Sequence, residues 1–246
     1  MKVLYIGSAQ GFQNADRFYL IPQKLINGFV RAGHNVYVFN DRDYARYSNI
    51  LRSRKFGVKP MNAKALEIVR DFRPDLVVLG HCESLHNETL DEMRRFNPDL
   101  KIVYRNVDPL SDAGNARDID NRSGAVDGIF ITTDGEVIKQ FEKGRTIVRH
   151  MPNPIDPSIE TERAFENECE TDVFFAGRFL RHADTDHREA TLRHLKGRLP
   201  DTNFDIYGGG MNDRLIFGHE YIKALGRAKI GLCLNKTYEY YLYASD

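Results

Sequence analysis

An imidazole and a carboxylate stand two residues apart in Gly80-His81-Cys82-Glu83-Ser84, the spacing of a general base and the group that orients it. The same residues also suit a plainer role, with Glu83 or Ser84 capping the next helix and His81 packed over a sheet edge. Farther along, Arg105-Asn-Val-Asp108-Pro-Leu-Ser-Asp112 offers a cation and two carboxylates in a loop, although Asp, Asn and Pro are also ordinary turn residues. Near the start, Gly7-Ser8-Ala9-Gln10-Gly11 has the small side chains that let backbone amides approach a ligand at a helix start. Its spacing is not Gly-x-Gly-x-x-Gly, and a simple strand-to-helix turn explains the glycines equally well. In the second half, Gly177-Arg178-Phe-Leu-Arg181 sets two arginines beyond a glycine, with Arg188 following. This pattern suits forked hydrogen bonding to a diphosphate, or a solvated helix entry. Tyr207-Gly208-Gly209-Gly210 is costly in backbone entropy, which favours close approach of a ligand. Asn235-Lys236 ends the last apolar run and could meet a phosphate or a sugar hydroxyl.

All of these residues follow short apolar runs, and the fold class turns on what those runs are. Strand-like segments recur at 2–6, 35–39, 75–79, 101–104, 128–132 and 146–149, each separated by helix-like sequence. From Arg17 to Ala32, Leu20, Leu25, Ile26, Phe29 and Val30 fall at helical spacing, and Gly33 supplies a left-handed stop. Strand and helix in alternation predict an α/β fold, with a parallel sheet covered by helices on both faces. In such sheets ligands gather beyond the carboxyl ends of the strands, where the residues singled out above lie.

Pro152, Pro154 and Pro157 cannot occupy a helix interior or a central strand, so residues 152–170 read as a linker. The expected organisation is a first domain over 1–151 and a second over 171–246. The pattern restarts at Asp172-Val-Phe-Phe-Ala-Gly177, with a helix near 186–198, a strand at 203–207 and a helix near 221–228. Ala228-Lys-Ile-Gly-Leu-Cys-Leu-Asn235 reads as a buried parallel strand that a helix and further strands ordinarily follow. The second domain is therefore expected to be incomplete at Ser245-Asp246, and its open apolar edge to favour association.

Lys and Arg together number 35, as do Asp and Glu, so no overall basic field marks a nucleic-acid binder. Cys82, Cys169 and Cys233 are odd in number and far apart, which argues against a disulfide framework or a zinc cluster. The expected setting is a reducing cytoplasm. The amino-terminal residues enter a strand directly, without a signal-like apolar run. Peripheral attachment at the inner face of a membrane stays open, although no long basic amphipathic helix stands out to argue for it.

The order of elements resembles the two-domain GT-B glycosyltransferases, in particular the bacterial CgeB-like group. The resemblance is carried by Val3-Leu-Tyr-Ile-Gly7, Ala32-Gly-His-Asn-Val36, Arg73-Pro-Asp-Leu-Val-Val-Leu79 and Val126-Asp-Gly-Ile-Phe-Ile-Thr-Thr-Asp134, and then by Pro152-Asn-Pro-Ile-Asp156, Phe175-Ala-Gly-Arg178, Ile206-Tyr-Gly-Gly209 and Ala228–Asn235. It implies transfer of a sugar from a nucleotide-activated donor to a glycan or other hydroxyl acceptor, as in polysaccharide biosynthesis. No cofactor or metal is implied beyond the nucleotide sugar itself. The donor side would comprise Gly177, Arg178, Arg181, Tyr207, Gly208, Gly209, Asn235 and Lys236, with Arg178 and the amides near Gly208 and Gly209 stabilising the leaving diphosphate. Gly7, Ser8, Gln10 and Gly11 would form an acceptor-side loop. His81, Glu83 or Asp108 would supply the base that an inverting transfer requires. The same architecture also fits a nucleotide-sugar epimerase, which would act without an acceptor, or a noncatalytic module that binds a glycan or a partner enzyme.

Overall fold

The computed structural model describes residues 1–9, 17–110, 112–178, 186–208, 211–212 and 214–234. They form two compact units that part at Asp156 and Pro157.

The first unit is built around β1 (Lys2–Ile6), whose last four residues are buried, as a central parallel strand requires. Leu4 and Ile6 pack with Val77, Leu79, Ile102 and Ile129 on one face, and Val3 and Tyr5 with Ile26 and Val78 on the other. Helix α1 (Ile21–Arg31) covers the second face. It begins at Ile21 rather than Arg17, because Pro22 belongs in a first turn, where its missing N–H leaves no bond unmade. Gly33 ends the turn at φ +80°, the left-handed stop its position predicts. After β2 (Asn35–Phe39), a short α2 (Asp41–Tyr47) and a long α3 (Arg54–Phe72) form a hairpin. A Cβ at Gly57 would lie 1.6 Å from the Ala45 carbonyl oxygen, so only glycine lets these helices touch.

The unit continues through β3 (Leu76–Leu79), α4 (Asn87–Phe96), β4 (Lys101–Asn106), α5 (Ala113–Arg122), β5 (Gly128–Ile131) and β6 (Ile147–His150). All six strands are parallel, in the order β2-β1-β3-β4-β5-β6. Residues 152–156 stay with this unit. Asp156, fully buried, accepts from Asn27 Nδ2 at 2.7 Å and from Arg31 Nη1 at 2.9 Å on α1.

The second unit holds β7 (Thr171–Ala176), α6 (Arg188–Arg198), β8 (Phe204–Tyr207), α7 (Gly218–Gly226) and β9 (Ala228–Gly231). Its strands are parallel in the order β8-β7-β9, around Phe175, Leu192 and Ile206. The run from Ala228 is a strand as expected, but among the described residues it is shorter, and only Ala228 of it is buried. β9 pairs with β7 on one side, and Lys229, Ile230 and Gly231 are exposed among the described residues. No helix among the described residues is long and apolar enough to cross a membrane.

Candidate functional site

In the order β2-β1-β3 the winding reverses beside β1, and a doubly wound sheet opens its crevice beyond the carboxyl ends of the strands at such a point. Gly7 and Gly80 end β1 and β3 there. A Cβ on Gly7 would lie 3.3 Å from the Gly80 Cα, and one on Gly80 would lie 2.4 Å from the Tyr5 hydroxyl. Both glycines are therefore demanded by backbone and ring packing. The Gly7 N–H donates to Phe39 O and the Ala9 N–H to Gly7 O, both at 3.0 Å. These two amides are thus spent within the fold, a correction to the expectation that this loop presents them to a ligand. The Ser8 hydroxyl lies 3.5 Å from Asn40 Oδ1, and Gln10 and Gly11 lie outside the described residues.

His81 comes directly after Gly80, and its ring stands between two carboxylates. Nδ1 is 3.6 Å from Glu83 Oε1, and Nε2 is 3.7 Å from Asp108 Oδ2. Glu83 does not cap α4, whose N-cap is His86. Its oxygens instead accept from Arg42 Nη2 at 3.1 and 3.0 Å. His81, its own backbone N–H and Arg42 hold the Glu83 carboxyl down to about 2, against the opposing effect of burial. A carboxylate so stabilised is a weak base, which favours His81 or Asp108 over Glu83 among the three candidates. The position of Glu83 beside Nδ1 suits it to orient the imidazole. Beside it, Asp41 is 1% exposed and its Oδ1 has no hydrogen-bond partner. Burial lifts this carboxyl to about 6 against the Arg42 charge, and Glu83 adds to the rise.

Arg105 is not a loop residue. It lies within β4, is buried, and donates to Asn106 O, Phe130 O, Pro152 O and Asn153 Oδ1. Burial lowers its guanidinium to about 10. Asp112 is the N-cap of α5, accepting from the N–H groups of Gly114 and Asn115. Among the described residues of that segment, only Asp108 reaches His81. Glu83 also lines a cavity of about 250 Å³, together with Cys82, His86, Asn87, Tyr104 and Arg122 among others. The Cys82 thiol is pushed up to about 12 by burial, which removes it as a nucleophile near neutral pH.

At the carboxyl edge of the second unit, Gly177, Arg178, Tyr207 and Gly208 come together. Gly208 has φ +123°, and a Cβ there would lie 1.7 Å from the Gly177 carbonyl oxygen. Its N–H donates to Arg214 O and that of Gly177 to Tyr207 O, both at 3.0 Å. The expectation that the Gly208 amide faces a diphosphate is corrected accordingly, since the strand crossing alone requires glycine. Arg188 is buried against Asp186 at 2.6 Å and donates to Arg178 O. It braces the edge, while the exposed Arg178 side chain has no ion-pair partner among the described residues. Arg181, Gly209, Asn235 and Lys236 lie outside the described residues. Sequence reasoning missed Arg214, whose guanidinium stacks 5.6 Å from the Tyr207 ring. It also missed Arg42, a charged residue just after β2 for which only the strand-end position was a signal. Among the described residues no group of three or more His, Cys, Asp or Glu is placed to hold a metal ion.

The chain matches no family profile and no curated protein sequence. Among solved structures it is similar to AviGT4, a glycosyltransferase involved in avilamycin A biosynthesis, at a TM-score of 0.51 and 11% identity. That match covers 94% of this chain and 69% of the other. It is also similar to a UDP-GlcNAc 2-epimerase from Neisseria meningitidis solved with UDP-GlcNAc, at a TM-score of 0.49 and 14% identity, covering 94% and 77% of the two chains. Identity this low speaks to the fold alone. The fold is α/β, with two Rossmann-like parallel sheets of the GT-B class.

Proposed function

We propose that this chain serves glycosyl transfer from a nucleotide-activated sugar to a hydroxyl acceptor, and that His81 is the general base. The observation that carries this reading is the imidazole standing between Glu83 and Asp108 at the carboxyl edge of the first sheet. His81 takes the proton as the acceptor oxygen attacks the anomeric carbon. Glu83, held by Arg42, fixes the ring and stabilises the imidazolium, and Asp108 flanks the other ring nitrogen. On the donor side the reading assigns neutralisation of the departing nucleoside diphosphate to the exposed Arg178, with Tyr207 beside it. The CgeB-like motifs support the same class, and the α/β fold agrees with it.

The test is a thermal-shift titration with UDP, GDP, CMP and ADP, and then with their sugar conjugates. A ligand at ~100 times its Kd stabilises by about 2.7 kcal/mol. The reading expects one nucleotide to stabilise selectively and Arg178→Ala to abolish the shift; no shift with any nucleotide would sink it. The carboxylate-flanked histidine also favours a second reading, epimerisation, in which the ring moves a proton at a sugar carbon. Deuterium uptake from heavy water into a nucleotide sugar, without any acceptor, separates the two.

A further inference from the structure

The α2–α3 hairpin carries a feature that neither the core nor the His81 site uses. Between Tyr44 and Leu66 the sequence has no acidic residue, yet it holds Arg46, Arg52, Arg54, Lys55, Lys59 and Lys64 in a chain whose charges otherwise balance. The first five are exposed, and none has a carboxylate within salt-bridge distance among the described residues. Set among them are Ile50, Leu51 and Phe56, which are 101%, 74% and 61% exposed. Single exposed apolar residues are ordinary, but three within seven positions, ringed by cations, are not.

The connection is built to hold them there. Asn49 Nδ2 donates to Ala45 O and Ser53 O, both at 2.9 Å, while its Oδ1 accepts from the Ser53 N–H at 3.1 Å. Arg52 takes a left-handed φ of 49°, and its guanidinium lies 5.9 Å from the Tyr47 ring centre. Helix α3 opens with Arg54 and Lys55 and has no acidic residue in its first turn, contrary to the charge its dipole favours. The fold orders this connection, opposes the dipole and leaves three large apolar side chains in water.

The tip also projects. Asn62 on α3 donates to Ser84 O and accepts from His86 N and Thr89 Oγ1, which places it level with the β3–α4 connection. Arg54 lies about 12 Å farther along the helix, at ~1.5 Å of rise per residue. The apolar tip and its cationic collar therefore stand clear of that connection, on the carboxyl side of the first sheet.

We propose that the α2–α3 tip is a docking surface for an anionic lipid bilayer. Ile50, Leu51 and Phe56 enter the acyl boundary, and Arg46, Arg52, Arg54, Lys55 and Lys59 lie at the headgroup level. Charge complementarity selects this occupant, because every charge interleaved with the exposed Ile50, Leu51 and Phe56 is positive. The proposal concerns the hairpin and holds whatever reaction the neighbouring crevice performs.

The test is co-sedimentation of the full chain with phosphatidylcholine vesicles and with vesicles containing about one third phosphatidylglycerol. The chain should pellet with the anionic vesicles only. Partitioning should fall roughly tenfold or more in I50S/L51S and in R54E/K55E. I50S/L51S should melt like the parent, since both side chains already face water, so a loss of binding reports the surface and not the fold. The proposal is overturned if the chain stays in the supernatant with both vesicles. It is also overturned if I50S/L51S pellets like the parent, which would mean purely ionic adhesion. Sedimentation velocity supplies the last arm: a dimer abolished by I50S/L51S would make the tip an interface between copies and overturn the proposal.

Discussion

The two units begin with the same winding, second strand beside first beside third, and each brings two glycines into contact at its carboxyl edge. In the first unit Gly7 meets Gly80, and in the second Gly208 meets the Gly177 carbonyl. The units differ in the residue next to the glycine. After Gly80 comes His81, set between two carboxylates, one of them braced by Arg42. After Gly177 comes Arg178, an exposed cation whose carbonyl is braced by the buried Arg188. In both edges the glycines serve backbone approach, and the proposed function rests on the next side chain, His81 as the base in one unit and Arg178 as the anion partner in the other.

The sharpest way to break this comparison is at His81. His81→Ala should lower turnover about 10²- to 10⁴-fold, the usual contribution of a positioned general base, with the melting temperature unchanged. A loss of stability in place of activity would make His81 a packing residue. Gly208→Ala should cost about 3 kcal/mol or more, through both its positive φ and the clash with Gly177. Calorimetry should register that loss in the transition of the second unit alone. If both units unfold earlier, the edges are not independently supported.

Asp41→Asn sharpens the electrostatics of the first edge. The folded-state carboxyl of Asp41 is raised to about 6 by burial, so the native state holds its proton longer than the unfolded chain does. Stability consequently falls as pH rises from about 4 to 6, and the cost persists above that window. The asparagine variant should therefore be more stable by about 1–3 kcal/mol at pH 7 and little changed below pH ~4, in urea melts at the two pH values. Glu83 acts with the opposite sign. Its depressed carboxyl contributes stability above about pH 4.5 that is lost as pH falls towards 2. The smallest effect should come from Asp112→Ala, about 0.5–2 kcal/mol for a lost N-cap with turnover intact. Reduced turnover there would return Asp112 to the site.

The central strands of the first unit, β1 and β3 above all, were legible because parallel strands buried on both faces are short runs of mostly apolar residues. Their ends, and with them His81 and Glu83, came with that pattern. Three matters were not legible. Arg105 read as a loop residue, since a buried cation satisfied by carbonyls from β5 and residues 152–153 breaks the rule that charges mark surfaces. Arg42 lies 41 residues from Glu83, and only the pairing order of the strands brings them together. The glycines after β7 and β8 read as ligand contacts, because nothing local reveals that their amides are already bonded to Tyr207 and Arg214.

The attachment of residues 152–156 to the first unit bears on how the molecule can be divided. A fragment cut after Met151 would strip Arg105 of the Pro152 and Asn153 acceptors, and would leave Arg31 and Asn27 without the Asp156 carboxylate. It would carry a buried guanidinium with half its acceptors missing, and it should express as an aggregating species. A fragment ending just past Asp156 keeps every one of these bonds. Five residues of proline-rich sequence thus decide whether a fragment of the first unit keeps these bonds or loses them.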